Sequence, residues 1–410
     1  MRILHICDYI SINEDPEFSR NISGYGYMVL CIAKSISALH DIENLDLLTL
    51  NCFTKGRKID EVQIVKRNIM DLLKDIKIKY IFRSIGMLLR YRPNFFWSIR
   101  IFFYYLSLGH VESIIKNGKY DLIHFHGIDF LTESMINYCK KHNMKFLVTL
   151  HGLYSFHEET NVTWLQIKNE RNFLKRIIID EIPVTVISTG IKNVILNYLN
   201  ANVIDCIHIV PNGTDIEYTK YNNINIRNLH NIREEEKIML CVGNISERKN
   251  QLQIVRAYRK LEEKIRNKLI ILFLGINHVT DFEVEIKQNG MKNRLILCGN
   301  ISKDILPQYY SQANYTILTS ISEGFGLSII EGFVFGLPNL TFSDLAAIPD
   351  IFDPQAMFLI DNRDDDSLTK GIAEFIQIKW DSEYIKQYSR NFSLEKMAKN
   401  YSDIYKKIIQ

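Results

Sequence analysis

The chain has 410 residues, more than one ordinary hydrophobic core accommodates, so two domains of roughly 200 residues each are expected. An apolar fraction of 47 % with 24 % charged residues excludes a disordered or low-complexity chain. The net charge of +3 conceals an asymmetry: residues 52–118 carry thirteen Lys/Arg against five acids, which predicts a strongly basic face there and a net acidic remainder.

In chain order, Met1 to Asp8 is apolar only briefly and closes on an aspartate, too short for a secretory signal and read as a first strand. The seven cysteines stand singly without metal-ligand spacing, which suits free thiols in a reducing cytoplasm. Strands are expected at Arg2 to Cys7, Asp46 to Leu50, Leu122 to His126, Lys145 to Leu150, Val184 to Ser188 and Ile207 to Val210. Helical patterns lie between them, for example at Tyr27 to Leu39, Leu131 to His142 and Trp164 to Ile178. Such alternation is the mark of a parallel sheet, whose doubly buried strands read as continuous apolar runs. The aromatic stretch Phe95 to Leu108 has Arg100 at its middle and falls short of the roughly 20 apolar residues of a spanning helix. It is read either as an amphipathic helix on an anionic membrane surface or as an ordinary helix packed on the sheet.

The asparagine-rich stretch Tyr221 to Asn231 reads as an interdomain linker. Strands then resume at Lys237 to Val242, Leu269 to Gly275, Arg294 to Gly299, Tyr315 to Thr319, Asn339 to Phe342 and Met357 to Ile360. The expected organisation is a first doubly wound domain over 1–220, a second over 221–390, and a last helix, 391–410, returning to the first domain. Ligands of doubly wound sheets bind at the carboxyl ends of the strands, so the site is expected in a cleft between the two.

Three motifs carry the chemistry. In Ser322-Glu323-Gly324-Phe325-Gly326-Leu327-Ser328-Ile329-Ile330-Glu331, Gly324 and Gly326 permit close backbone approach, and a helix opening at Leu327 offers free N–H groups. Glu323 in the loop and Glu331 about a turn into the helix can face one ligand, as carboxylates suited to vicinal hydroxyls. In Gly243-Asn244-Ile245-Ser246-Glu247-Arg248-Lys249, a strand-to-helix turn bears a cation, the arrangement that opposes a diphosphate. His151 ends the strand Lys145 to Leu150 and faces the expected cleft. His124 and His126 are read as pointing to opposite faces of their strand, with His126 the candidate to reach the site and His124 structural.

The spacing of Glu323 and Glu331 around an intact Gly-Phe-Gly-Leu resembles the retaining GT-B glycosyltransferases of the family 4 type. That resemblance implies an α/β fold of two Rossmann-like domains facing across a cleft. It also implies transfer of a sugar from a nucleotide diphosphate to an acceptor hydroxyl, with closure over the donor. It assigns Glu323 to the donor-sugar hydroxyls, Glu331 to the ribose, Lys249 to the phosphates and His151 to the reacting carbon, making His151, Glu323 and Lys249 the catalytic set. Gly324, Phe325, Gly326, Leu327, Ser328, Asn244, Arg248, Gly24, Asn300 and Ile301 complete the expected donor contacts. Two positions depart from the family pattern. Asn244 stands where an Arg is usual, which leaves Lys249 the main cation, and Ala346-Ala347-Ile348-Pro349-Asp350 replaces Gly-Gly-x-Pro-Glu.

Asp364-Asp365-Asp366 precedes a helix and reads as a cap, so no metal is expected. The expected partners are a nucleotide sugar, a sugar or lipid-linked acceptor and an anionic membrane surface. Nucleic acid is excluded, since no recognition motif accompanies the charge. The rival readings are a sugar-nucleotide epimerase or hydrolase and a non-catalytic sugar-nucleotide-binding protein.

Overall fold

The computed structural model describes the chain apart from residues 13, 14, 16, 19–22, 52, 92, 93, 157–162, 216–223 and 289, and gives the backbone alone at 91, 130 and 288. The first part of the proposed linker therefore lies outside the described residues. The fold divides into two compact units: Met1–Ile187, Ile191–Val210 and Glu395–Gln410 in one, Ser188–Gly190 and Pro211–Leu394 in the other.

The first unit is built on β1 (Arg2–Cys7), β2 (Asn44–Thr49), β3 (Arg57–Ile59), β4 (Val62–Ile64), β5 (Leu122–His126), β6 (Phe146–Leu150), β7 (Val184–Val186) and β8 (Ile207–Ile209). Their order is β3-β4-β2-β1-β5-β6-β7-β8, parallel except for β3 against β4. β5 and β6 are buried along their whole length, because helices cover both faces of the sheet. The small β3–β4 hairpin was not expected from sequence. Its strands have three residues each, and Arg57 and Lys58 interrupt any apolar pattern. The helix Leu394–Ile409 buries Met397, Ala398, Tyr401, Ile404 and Tyr405, and residues 395–410 belong to this unit.

The second unit carries β9 (Lys237–Val242), β10 (Leu269–Leu274), β11 (Leu295–Gly299), β12 (Tyr315–Leu318), β13 (Asn339–Phe342) and β14 (Met357–Ile360), all parallel in the order β11-β10-β9-β12-β13-β14. Strand alternation sends Met239, Cys241, Ile271 and Phe273 into one core and Ile238, Leu240, Ile270 and Leu272 into the other. Ile254, Val255, Tyr258, Leu368, Ile372 and Phe375 close the first core, while Tyr309 and Tyr310 close the second. The chain reverses its direction of travel across the sheet between β9 and β12, the switch point where doubly wound sheets open a crevice for ligands.

Beyond the β3–β4 hairpin, the basic region folds as three helices, Ile69–Lys74, Ile78–Tyr91 and Phe95–Gly118. On Ile78–Tyr91 the apolar residues Ile78, Phe82, Ile85 and Leu89 recur at helical spacing yet face solvent, Phe82 being 69 % and Leu89 73 % exposed. Tyr80 and Ser84 form the buried side. Phe95–Gly118 is divided along its length: Phe95, Phe96, Ile99 and Phe103 are exposed, whereas Tyr105, Leu108, Val111 and Ile115 are buried. Among the described residues, no helix is long and apolar enough to cross a membrane.

Candidate active site

In the second unit the loops after β9 and β12 emerge side by side at the switch point. β12 ends at Leu318 and delivers Thr319 and Ser320, both buried; the Thr319 hydroxyl donates to the carbonyls of Lys249 and Asn250 at 3.2 and 3.1 Å. The Ile321 N–H donates to the Arg248 carbonyl at 2.8 Å, and the Arg248 guanidinium to the Ser322 carbonyl at 2.7 Å. Two stretches 70 residues apart in the chain are thereby laced together.

This lacing sets the central ion pair. The Lys249 ammonium binds Glu323 Oε1, the Ser320 hydroxyl donates to the same oxygen at 2.7 Å, and Arg248 lies 3.7 Å from Oε2. Burial works against ionisation of Glu323, but Lys249 and Arg248 outweigh it and hold the carboxyl below its usual value. Gly243 has φ +133°, which only glycine adopts readily, and a Cβ there would meet Lys249 Cε at 3.4 Å. The lysine stem therefore lies over bare backbone.

Gly326, at φ +76°, turns the chain into the helix Leu327–Val334, a left-handed entry that an L side chain strains. Leu327 and Ser328 open that helix, while the Phe325 ring is buried against Phe392 with centroids 6.4 Å apart. Glu331 lies one turn further on and accepts from the Tyr310 hydroxyl at 3.0 Å. Burial raises its carboxyl, against the opposing pull of Lys303, Tyr310 and Lys249. The two glutamates thus sit in contrasted settings: cations outweigh burial at Glu323, whereas burial outweighs them at Glu331.

Asn244 does not act as a substitute cation. Its side-chain amide oxygen Oδ1 accepts from the Ile276 N–H at 3.0 Å and ties the loop after β9 to the loop after β10. Asn300, exposed, and Ile301, half-buried against the core, follow β11 at the same end of the sheet. In the Ala-Ala-Ile-Pro-Asp segment, Asp350 accepts from the Thr189 backbone N–H and hydroxyl at 2.6 and 2.5 Å. The three aspartates are all engaged: Asp364 caps Ser367, Asp365 pairs with Arg256 and Asp366 with Lys260.

In the first unit, Ser23 caps the helix Gly24–Ser37, leaving Gly24 exposed, and the Tyr25 hydroxyl donates to the His126 carbonyl at 2.9 Å. The Tyr25 ring meets His151 edge-on at 5.1 Å. His151 Nε2 lies 3.0 Å from His126 Nδ1, so the structure brings Gly24, His126 and His151 to one end of the sheet. The expectation for His124 and His126 is corrected: residues two apart in a strand share a face, and the two rings lie 4.1 Å apart on the same side of β5. His126 does not itself occupy the rim; it is buried beneath His151.

Sequence reasoning missed His5, Ser320, Tyr310 and Tyr405. His5 was detectable as a polar residue inside an apolar strand, whereas the tyrosines sit on helices whose partners only the fold supplies. Tyr25, between Gly24 and Gly26, contacts both His126 and His151.

Residues 222–392 match the family model "Glycosyl transferases group 1", and residues 74–218 match "Glycosyltransferase Family 4", so the two together span most of the chain. An uncharacterised glycosyltransferase of Methanocaldococcus jannaschii is 23 % identical over 315 residues, 72 % of this chain and 77 % of its own length. A glycosyltransferase structure from Rickettsia africae covers 100 % of this chain and 98 % of its own at TM-score 0.71 and 18 % identity. HepE of Anabaena in complex with UDP-glucose covers 99 % and 100 % at TM-score 0.67 and 13 % identity. The chain belongs to the group 1, family 4 type glycosyltransferases and is a transferase of the GT-B fold, built from two Rossmann-like domains.

Proposed function

We propose that this glycosyltransferase uses a nucleotide-diphosphate sugar and transfers its glycosyl group with retention at the anomeric carbon. The observation that carries the reading is the Lys249–Glu323 pair, fixed by Ser320 and Arg248 beside a helix N-terminus at the β9–β12 switch point. A diphosphate leaving group opposes Lys249 and the Leu327 helix end, and preorganised positive charge of that kind stabilises a departing anion. Glu323 is assigned to the sugar hydroxyls, Glu331 to the ribose and His151 to the sugar near the reacting carbon. HepE, similar in fold, is described in complex with UDP-glucose, which favours a nucleotide sugar over other donors. A thermal-shift screen of UDP, GDP and ADP sugars should identify the base, because a ligand that binds only the folded state raises its stability. NMR of the product from an α-linked donor should then show an α linkage; a β product would remove retention, and hydrolysis without transfer would favour the hydrolase reading.

The acceptor is proposed to be lipid-linked, in polysaccharide or glycolipid assembly at the inner face of a membrane. Support comes from the exposed stripe Ile78, Phe82, Ile85 and Leu89, joined by Ile69, Met70, Leu73, Phe95, Phe96 and Phe103 and flanked by Arg83, Arg90 and Arg100. Burying one such side chain contributes about 1.5–3 kcal/mol, and each cation near an anionic surface about 1 kcal/mol, so a few of these residues suffice for docking. Flotation with phosphatidylglycerol vesicles should carry the protein, and Phe82→Asp with Leu89→Asp should release it. Equal recovery of both proteins would sink the proposal.

A further inference from the structure

The hydrogen bond between His151 and His126 is the end of a longer buried chain. His126 Nε2 lies 3.0 Å from His5 Nδ1, and His5 Nε2 lies 3.2 Å from the Tyr405 hydroxyl. That hydroxyl lies 2.7 Å from His124 Nδ1, and His124 Nε2 lies 2.6 Å from Thr149 Oγ1. His5, His124, Thr149 and Tyr405 are fully buried and His126 nearly so. Burial lowers the pKa of His5 to about 3 and of His151 to about 4, and pushes His124 and His126 well down as well, so these rings are neutral near pH 7.

A neutral imidazole has one N–H and one acceptor nitrogen, and each contact in the chain holds a single proton. The protons must therefore all run in one direction or all in the other. In one arrangement every ring carries its proton on Nε2: His151 donates to His126, His126 to His5, His5 to Tyr405, Tyr405 to His124 and His124 to Thr149. In the reverse arrangement every ring carries its proton on Nδ1. Free neutral histidine favours the Nε2–H form, so the first arrangement satisfies all four rings at once.

We infer that Tyr405 is a positioning residue, which holds His151 through His5 and His126 as the Nε2–H tautomer with the Nδ1 lone pair left to accept a hydrogen bond from a substrate hydroxyl. A structural metal is a poorer account of the same cluster. The ligand atoms of His5, His124 and His126 spread over as much as 4.8 Å, against about 3.3 Å for a tetrahedral zinc, and each ring nitrogen already has a hydrogen-bond partner. In Tyr405→Phe, a proton on His5 Nε2 would be buried without an acceptor. The His5 proton therefore moves to Nδ1, and His126 and His151 follow.

The consequence for catalysis rests on the assignment of His151 to the substrate, whereas the tautomer itself is read on the unliganded 410-residue chain by long-range ¹H–¹⁵N correlation. The wild type should show Nε2–H at His5, His124, His126 and His151, and Tyr405→Phe should show Nδ1–H at His151. Its kcat/KM should fall roughly tenfold, the loss of one substrate hydrogen bond. An Nδ1–H signal at His151 in the wild type, an unchanged His151 tautomer in Tyr405→Phe, or stoichiometric zinc in the purified protein would each overturn the inference. The wild-type spectrum decides the first point even if the variant does not fold.

Discussion

Replacing Lys249 by Met tests the centre of the site through stability as well as activity. The substitution keeps the length of the side chain over Gly243 and deletes the ammonium, leaving Glu323 with Ser320 at 2.7 Å and Arg248 at 3.7 Å. Breaking a fully buried pair by removing one partner costs about 3–5 kcal/mol. The Lys249 and Glu323 side chains are 17 % and 11 % exposed and two partners stay in place, so a loss of about 2–3 kcal/mol is expected at pH 7. In the wild type the Glu323 carboxyl lies below its unfolded value, so its contribution is present above that value and is lost as pH falls through the folded one. Without Lys249 the burial effect dominates and the carboxyl moves above its unfolded value, costing stability as pH rises. The gap between the two proteins in urea unfolding should therefore be largest at pH 7 and shrink as pH falls through the raised value of the variant and then the depressed value of the wild-type carboxyl. Adding Glu323→Gln to Lys249→Met should restore most of the lost stability, since removing both charges leaves no ion uncompensated. A pH-independent gap, or a double variant no more stable than the single one, would refute the ion-pair account. Turnover of Lys249→Met should fall by about 10²–10³, as when one group stabilising a developing charge is lost.

Glu331→Gln keeps the size of the side chain beside Tyr310 and removes the charge; the donor KM should rise about tenfold with kcat less affected, measured by initial rates at varied donor. Chelation is expected to leave turnover unchanged, because Asp364, Asp365 and Asp366 are each committed to a cap or an ion pair; activity lost to EDTA and recovered with manganese would reverse that proposal.

Much of the fold was legible because parallel strands buried on two faces leave uninterrupted apolar runs. β1, β5, β9, β13 and β14 have the bounds expected from sequence, and the other expected strands differ by a residue or two at their ends. The hairpin β3–β4 and the helix Ile78–Tyr91 escaped notice for opposite reasons. The hairpin is too short to show a period, and the helix has a clear period whose apolar side faces outward, against the usual rule. At the site, Glu323, Glu331, Lys249 and His151 stood out because glycine-framed loops after strands carry few residues able to do chemistry.

The sequence by itself determined the alternation of strands and helices, the glycine turns that frame the loops, and the family to which they point, since these depend on local pattern and spacing. Only the tertiary structure decided the partnerships. Lys249 meets Glu323 because parallel strand order places β9 beside β12, and His151 is tied to Tyr405 because β1, β5, β6 and the last helix converge in one unit. Contacts between residues 74 and 400 positions apart depend on strand order and helix docking, which no local window of sequence contains.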